Sequence, residues 1–199
     1  DSMQANTQYV VCFGGMALKN SSVSGGGNSN HNIPDVLSLL QNQGVEFALF
    51  SPLRRDLPDW VKADWYALRP ASDTAVIIAM AHVLLVEDLH QQAFLEKYCI
   101  GFPQYEAYLL GKSDGVEKTP EWAAAISEIP ASTIRTVARK MASRRTLITV
   151  SQSVQRAEHG ERPIWAAIAL AAMLGQIGLP GGGFSYGLGS IGNVGKPPV

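Results

Sequence analysis

Several things are scarce in this sequence, and each shortage removes a class of function. Two cysteines, Cys12 and Cys99, stand far apart, with no CxxC and no Cys/His ligand spacing. A metal site built from the chain's own thiolates is not expected, and both read as buried free thiols. Charged residues make up 17% of the chain, the net charge is −1, and there is no long run of Lys or Arg. The densest basic cluster, Arg139 to Arg145, lies at the end of a helical pattern, where cations favour the helix dipole; nucleic-acid binding is therefore not expected. The longest apolar run, Ile164 to Leu174, has eleven residues, against about 20 for a spanning helix, so membrane insertion is not expected either.

Catalytic motifs are missing too. No GxGxxG follows the first strand pattern and no acidic residue closes the second, which disfavours NAD or FAD in their common mode. There is no GxxxxGK[ST], GxSxG or HExxH, and no paired-carboxylate arrangement. The residues offer a place to bind something, without a catalytic centre or a metal-ligand set.

What is present reads as a single α/β domain. Its 199 residues are 46% hydrophobic, enough for a substantial core. Tyr9 to Phe13 is an uncharged run bounded by Gly14 and Gly15, as expected of a strand buried on both faces of a parallel sheet. Asp35 to Gln43 predicts a short helix stopped by Gly44. Val45 to Phe50 predicts a second strand, making a βαβ unit. Trp65 to Leu68 predicts a third strand, and Thr74 to Val86 a helix apolar nearly all round, with His82 as a core histidine. Two helices broken at Gly101-Phe102-Pro103 should follow, then one opened by Thr119-Pro120 and an amphipathic one over Ala131 to Ser143. Thr146 to Val150 predicts a fourth strand, and Ile164 to Leu174 a last helix. Ser24 to Asn32, with His31, reads as loop.

Parallel strands release their C-terminal loops along one edge, where ligands of open α/β sheets bind. Four loops converge there: Gly14–Asn20, Ser51–Asp56, Arg69–Asp73 and Ser151–Arg156. They carry Lys19, Arg54, Arg55, Arg69 and Arg156 among small polar residues, a mixture suited to a nucleotide diphosphate. Asp73 could read the N1–H and amino group of guanine, or could simply cap the helix that follows.

Beyond this, GGMALKN after the first strand, VQRAEHGE after the fourth and ALAAMLGQIGLPGGGF resemble the dimethyl sulfoxide reductase family of molybdenum oxidoreductases. YCIGFPQYEAYLLGKSDG and TPEWAAAISEIPASTIRTVARKMA resemble the same family between them, and the likeness is strongest to its trimethylamine N-oxide and biotin sulfoxide reductase branch. The resemblance implies a Rossmann-like, three-layer domain with a mainly parallel sheet flanked by helices. It also implies that this domain cradles one molybdopterin guanine dinucleotide of a pair that holds molybdenum. The family's cofactor contacts match Gly14, Gly15, Met16, Lys19 and Asn20 in the first loop, and Ser51 and Pro52 in the second. They match Ser72 and Asp73 in the third, and Gln152, Ser153, Gln155 and Arg156 in the fourth. Ser51 stands where an acid or amide is usual, and Ser151 where many members have Gly. The serine that ligates the metal in this branch has no counterpart here.

The resemblance further implies that 1–180 is the cofactor-binding domain of a larger multidomain enzyme and 181–199 a Gly-rich tail leading to the next domain. The implied partners are the parent's other domains, an S- or N-oxide substrate, and an electron donor such as a c-type cytochrome or small redox protein. The implied compartment is the periplasm, or alternatively the cytoplasm. A non-catalytic nucleotide-binding or structural module is the alternative reading. Alone, the chain is expected to be inert, and Phe184 to Val199 is expected to remain unordered for want of partners.

Overall fold

The computed structural model of the protein describes residues 2–21 and 33–186. The whole of the loop expected at Ser24–Asn32, His31 included, and Gly187–Val199 lie outside them. Among the described residues, β1 (Tyr9–Phe13), β2 (Glu46–Phe50), β3 (Asp64–Tyr66), β4 (Thr146–Val150) and β5 (Gly183–Tyr186) form one sheet in the order β3-β2-β1-β4-β5. All its pairings are parallel. The strand order reverses between β1 and β4, which in doubly wound sheets opens a crevice for a ligand.

The sheet is buried on both faces, which explains why its central strands read as unbroken apolar runs. Side chains alternate along a strand. Tyr9, Val11 and Phe13 therefore enter one core with Ala48, Phe50, Ile148 and Val150. Val10 and Cys12 point the other way, into a second core with Phe47 and Leu49. That second core is closed by α3 (Ile33–Asn42), with α1 (Ser2–Asn6) and α2 (Leu18–Ser21) beside it. The first core is closed by α4 (Asp73–Val86), α7 (Pro120–Ser127), α8 (Ala131–Ala142) and α9 (Glu161–Met173), with α5 (Gln92–Tyr98) and α6 (Phe102–Leu109) outside. Eleven α4 residues, from Asp73 to Leu84, are buried, as a helix without a polar face requires.

Most elements fall where the residue pattern places them. Thr119 caps α7 by accepting the Trp122 N–H at 3.1 Å, with Pro120 at the first helical position. His82 is a buried core residue whose Nε2 lies 2.8 Å from Glu117 Oε1. Three expectations need correction. The third strand is Asp64–Tyr66, because its pairing with β2 ends at Tyr66 and the chain then turns away to bury Leu68 among the helices. Cys99 is half-buried at the C-terminal end of α5, beside the fully exposed Ile100.

The third correction concerns Phe184–Tyr186, the described start of the stretch expected to find no partners. Gly183–Tyr186 is instead an edge strand, with Phe184 packed on the first core. Ordering comes from hydrogen bonds and close approach rather than from apolar area. Gln176 accepts the Thr146 N–H at 2.7 Å and donates to the Arg144 carbonyl at 2.7 Å. Thr7 Oγ1 donates to the Gly181 carbonyl at 2.7 Å. A Cβ on Gly181 would collide with Asn6 and Thr7, so glycine is what lets the segment lie against the start of the chain. Gln176→Ala would strand the buried Thr146 N–H, costing about 1–3 kcal/mol, and remove one of two hydrogen bonds to the Arg144 carbonyl. The variant is expected to lose stability in denaturant titration, and amide exchange should accelerate first across residues 183–186.

Candidate functional site

The C-terminal edge of the sheet rests on three rings in a row, Phe13 stacked on Phe50 and Tyr66 tilted against it. Phe13, Phe50 and Tyr66 end β1, β2 and β3, with centroids 5.0 and 4.8 Å apart, so the strands stop level. The ladder runs on into the loops: Gly14 N–H donates to the Phe50 carbonyl and Ser151 N–H to the Phe13 carbonyl, both at 2.9 Å. Gly14 and Gly15 then take φ values of +72° and +78°. A Cβ on Gly14 would strike Ser151 and Val154 of the fourth loop, and one on Gly15 would strike Asp56 of the second. The first loop is thus clamped between its neighbours by close backbone contact that any larger residue would prevent.

In the second loop, Ser51 is buried and donates to Asp56 Oδ2 at 2.5 Å, while its own carbonyl accepts the Trp65 indole N–H at 2.9 Å. The Asp56 carbonyl accepts the Met16 N–H at 2.6 Å. Asp56 therefore ties the first two loops together. Arg54 is spent inside its own loop, donating to the carbonyls of Leu57 and Val61 at 3.2 and 2.9 Å. Arg69 lies 3.9 Å from Glu128. Pro52 is exposed.

The third loop leaves the sheet edge and crosses to the helical layer, where Arg69 N–H donates to the Ser127 carbonyl at 3.0 Å. Ala71 adopts φ 63°, a left-handed conformation that costs a residue with a Cβ about 1–2 kcal/mol. Ser72 does not cap α4 through its side chain; its hydroxyl donates back to the Arg69 carbonyl at 2.6 Å. Asp73 is the first residue of α4 and is buried, lining a cavity of about 220 Å³ with Val154, Glu158, His159 and Arg162. The crossing brings the third loop against the fourth, although their strands are not neighbours.

Ser151 is buried in the fourth loop, its hydroxyl 2.5 Å from that of Ser153. Gln152 is half-buried, and Ser153, Gln155 and Arg156 are exposed. The loop folds back on itself: a Cβ on Gly160 would run into the Gln155 carbonyl. Arg156 and Lys19 are exposed and make no ion pair or side-chain hydrogen bond among the described residues, so both are available to an anion. Met16 buries its side chain in the second core, and its backbone N–H is taken by the Asp56 carbonyl. Asn20 lies in α2, and its side chain lies outside the description.

The sequence matches the molybdopterin oxidoreductase family over residues 18–195. The chain belongs to this family. It is 43% identical over 197 residues to the biotin sulfoxide reductase of Cereibacter sphaeroides, covering 99% of this chain and 26% of that protein. It is 40% identical to the dimethyl sulfoxide/trimethylamine N-oxide reductase of the same organism, over 90% of this chain and 22% of the relative. The trimethylamine-N-oxide reductase of Vibrio parahaemolyticus is 38% identical, over 92% of this chain and 23% of its own length. The chain therefore spans about a quarter of the length of these relatives. The fold is shared with acetylene hydratase from Pelobacter acetylenicus, with a TM-score of 0.67 and 22% identity over 87% of this chain and 22% of that one.

The donor set fits a molybdopterin bearing phosphate: the exposed cations Lys19, Arg55 and Arg156, a backbone turn without Cβ atoms, and amide and hydroxyl groups around the β1/β4 crevice. The fit at the far end rests on Asp73. Burial pushes its carboxyl up from 3.8 to about 6, partly offset by a bond to its own backbone N–H. The residues missed from the sequence are Asp56, whose role is to join loops, and the wall of Glu158, His159 and Arg162. The VQRAEHGE run marked the segment but not which members face Asp73.

Because the folded protein holds the Asp73 proton to higher pH than the unfolded chain does, stability falls as pH rises from about 4 to about 6 and stays low above that. At 1.36 kcal/mol per pH unit the penalty approaches roughly 3 kcal/mol. Asp73→Asn is expected to raise the stability of the cofactor-free chain by up to about that amount at pH 7.5, with little change at pH 4. Chemical denaturation at both pH values measures it. Ala71→Gly, relieving the left-handed alanine, should add about 1 kcal/mol at either pH.

Proposed function

We propose that this chain is the cofactor-binding domain of a molybdenum oxidoreductase that reduces S- or N-oxides, and that its four-loop edge cradles one molybdopterin guanine dinucleotide. The observation that carries the reading is the spread of chemistry along that edge. Free cations and hydrogen-bond donors surround the β1/β4 crevice, and a buried carboxyl lines the cavity beside it. Lys19, Arg156 and the Gly15 backbone N–H would hold phosphate, with Gly14 shaping the turn. Gln152, Ser153, Gln155 and Ser72 would complete hydrogen bonds along the ligand, with Ser51 and Pro52 shaping the second turn. Asp73 would accept from the guanine N1–H and amino group. That ligand returns a hydrogen-bonded partner to a carboxyl that the fold has desolvated, favouring its ionised form.

When bound, the group supplies a molybdenum centre able to take an oxygen atom from an S- or N-oxide. This chain's residues bind and orient the dinucleotide; the metal's protein ligand, the oxide site and the electron entry point belong to the rest of the parent. The names of the relatives support trimethylamine N-oxide, dimethyl sulfoxide or biotin sulfoxide as substrate class; methionine sulfoxide, which none of these names prints, belongs to the same class by its chemistry. A c-type cytochrome or small redox protein would deliver electrons, in the periplasm if the parent is exported. In this reading 1–180 is the binding domain and 181–199 leads onward, its β5 adding the edge strand to the domain's sheet. Family membership favours this reading over a free-standing nucleotide or structural module.

The test uses the full-length parent protein. A charge-assisted hydrogen bond is worth roughly 1.5–3 kcal/mol, so Arg156→Ala should weaken cofactor retention about tenfold or more. Asp73→Asn should deplete it too, although the same change stabilises the unloaded chain. Molybdenum and guanine nucleotide are measured per mole of protein; full content in both variants would show that the cradle is misplaced. The 199-residue chain alone is expected to be folded, molybdenum-free and inactive with reduced viologen and any of these oxides.

A further inference from the structure

Asp73 can meet only one side of a guanine. Its carboxylate accepts hydrogen bonds, so it serves the N1–H and the amino group, while O6 and N7 on another edge of the base need donors. The Asp73 cavity measures about 220 Å³, against about 300–1,000 Å³ for the site of a whole drug-sized ligand, and so suits a single ring system. Ala71, Val154, Ala157 and Pro163 give it apolar walls. Val154 also fills the space beside Gly14, which sets the cavity next to the Gly14–Gly15 turn at the proposed phosphate site.

The strongest donor lining the cavity is Arg162. Folding alone does not account for this side chain. Arg162 is the second residue of α9, where the positive end of the helix dipole disfavours a cation. It is exposed and makes no ion pair or side-chain hydrogen bond among the described residues. Glu158, the acid of the same wall, lies 3.9 Å from His159, and its side chain is 90% exposed. Asp73 feels no cation either: burial raises its carboxyl, and only its own backbone N–H acts the other way. The guanidinium and the carboxyl therefore stand apart along the cavity instead of closing it as an ion pair. The backbone that places Arg162 is under constraint. His159 takes a left-handed φ of 57°, and its carbonyl accepts the Arg162 N–H at 3.0 Å. Gly160, between them, passes so close to the Gln155 carbonyl that no Cβ fits.

We propose that Arg162 binds the O6 and N7 of guanine and, with Asp73, makes this cavity selective for guanine over adenine. The assignment rests on the proposed binding of a guanine dinucleotide. A guanidinium presents a planar fork of donors, which matches two acceptors side by side on the base. Adenine would turn its 6-amino donor toward that fork and would offer Asp73 no N1–H. Hypoxanthine would keep its contacts with Arg162 and lose one of the two hydrogen bonds to Asp73. Guanine alone among these purines satisfies both side chains.

The experiment uses the full-length protein produced without its pterin cofactor. GMP, 7-deaza-GMP, guanosine and AMP are the probes, and dissociation constants come from saturation-transfer NMR titrations. A bidentate base contact of this kind is worth about tenfold in affinity, so Arg162→Met should weaken GMP binding by about that factor. The wild type should also bind 7-deaza-GMP severalfold more weakly than GMP, because N7 is gone, whereas Arg162→Met should bind the two alike. With guanosine, which has no phosphate, the loss caused by Arg162→Met should be as large as with GMP. A loss seen with GMP and absent with guanosine would assign Arg162 to phosphate and overturn the inference. A variant that binds GMP as tightly as the wild type, or that still discriminates N7, would overturn it too. In either case Asp73→Asn would still weaken GMP binding if the proposed function holds. Wild-type protein that binds no guanine probe, or binds AMP equally well, would overturn the proposed function and this inference with it.

Discussion

Three loops meet at the Gly14–Gly15 backbone, and their meeting depends on two Cβ atoms that are not there. Ser151 and Val154 occupy the space beside Gly14, and Asp56 the space beside Gly15. The level ends of β1, β2 and β3, where Phe13, Phe50 and Tyr66 pair in register and pack ring against ring, set the height at which those loops leave. Asp56 then fixes their spacing by accepting from Ser51 Oγ and the Met16 N–H. A rigid rim follows from short-range contact alone, with Lys19 and Arg156 left unengaged upon it. Preorganisation of this kind lowers the ordering cost of binding.

Asp73 represents the opposite bargain. The crossing of the third loop carries it into the helical layer, where desolvation raises its pKa and destabilises the unloaded protein near neutral pH. No neighbouring cation offsets the burial. A ligand that donates hydrogen bonds to the carboxylate regains part of that free energy, so binding and folding are linked through one side chain.

The fold was legible because its decisive signals are local. Tyr9–Phe13 and Thr146–Val150 are apolar on both faces, α4 is apolar all round, and Thr119-Pro120 is a self-contained start signal. Those patterns are the direct imprint of burial and capping. Phe184–Tyr186 was misread because what orders it is remote: Gln176 reaches Thr146 thirty residues away, and Thr7 reaches Gly181 across 174 positions. The site was legible as four loops and as a family resemblance. The engagement of Arg54 by Leu57 and Val61 was not, because whether a cation is free depends on backbone carbonyls placed by the turn. Nor was the facing of Asp73 with Glu158, His159 and Arg162, since the third loop passes over the sheet to reach them.

The short outer strand has a consequence for the molecule in concentrated solution. β3 presents three residues, Asp64 to Tyr66, a pairing length of about 10 Å at roughly 3.3 Å per residue. Its first residue is an exposed acid, and the indole of its second is turned back to hydrogen-bond the Ser51 carbonyl. A stray strand from another molecule would find few free backbone groups there and a like-signed acidic residue at the entrance. The sheet whose strand ends carry the ligand rim thus has, at its β3 side, a margin that resists edge-to-edge aggregation.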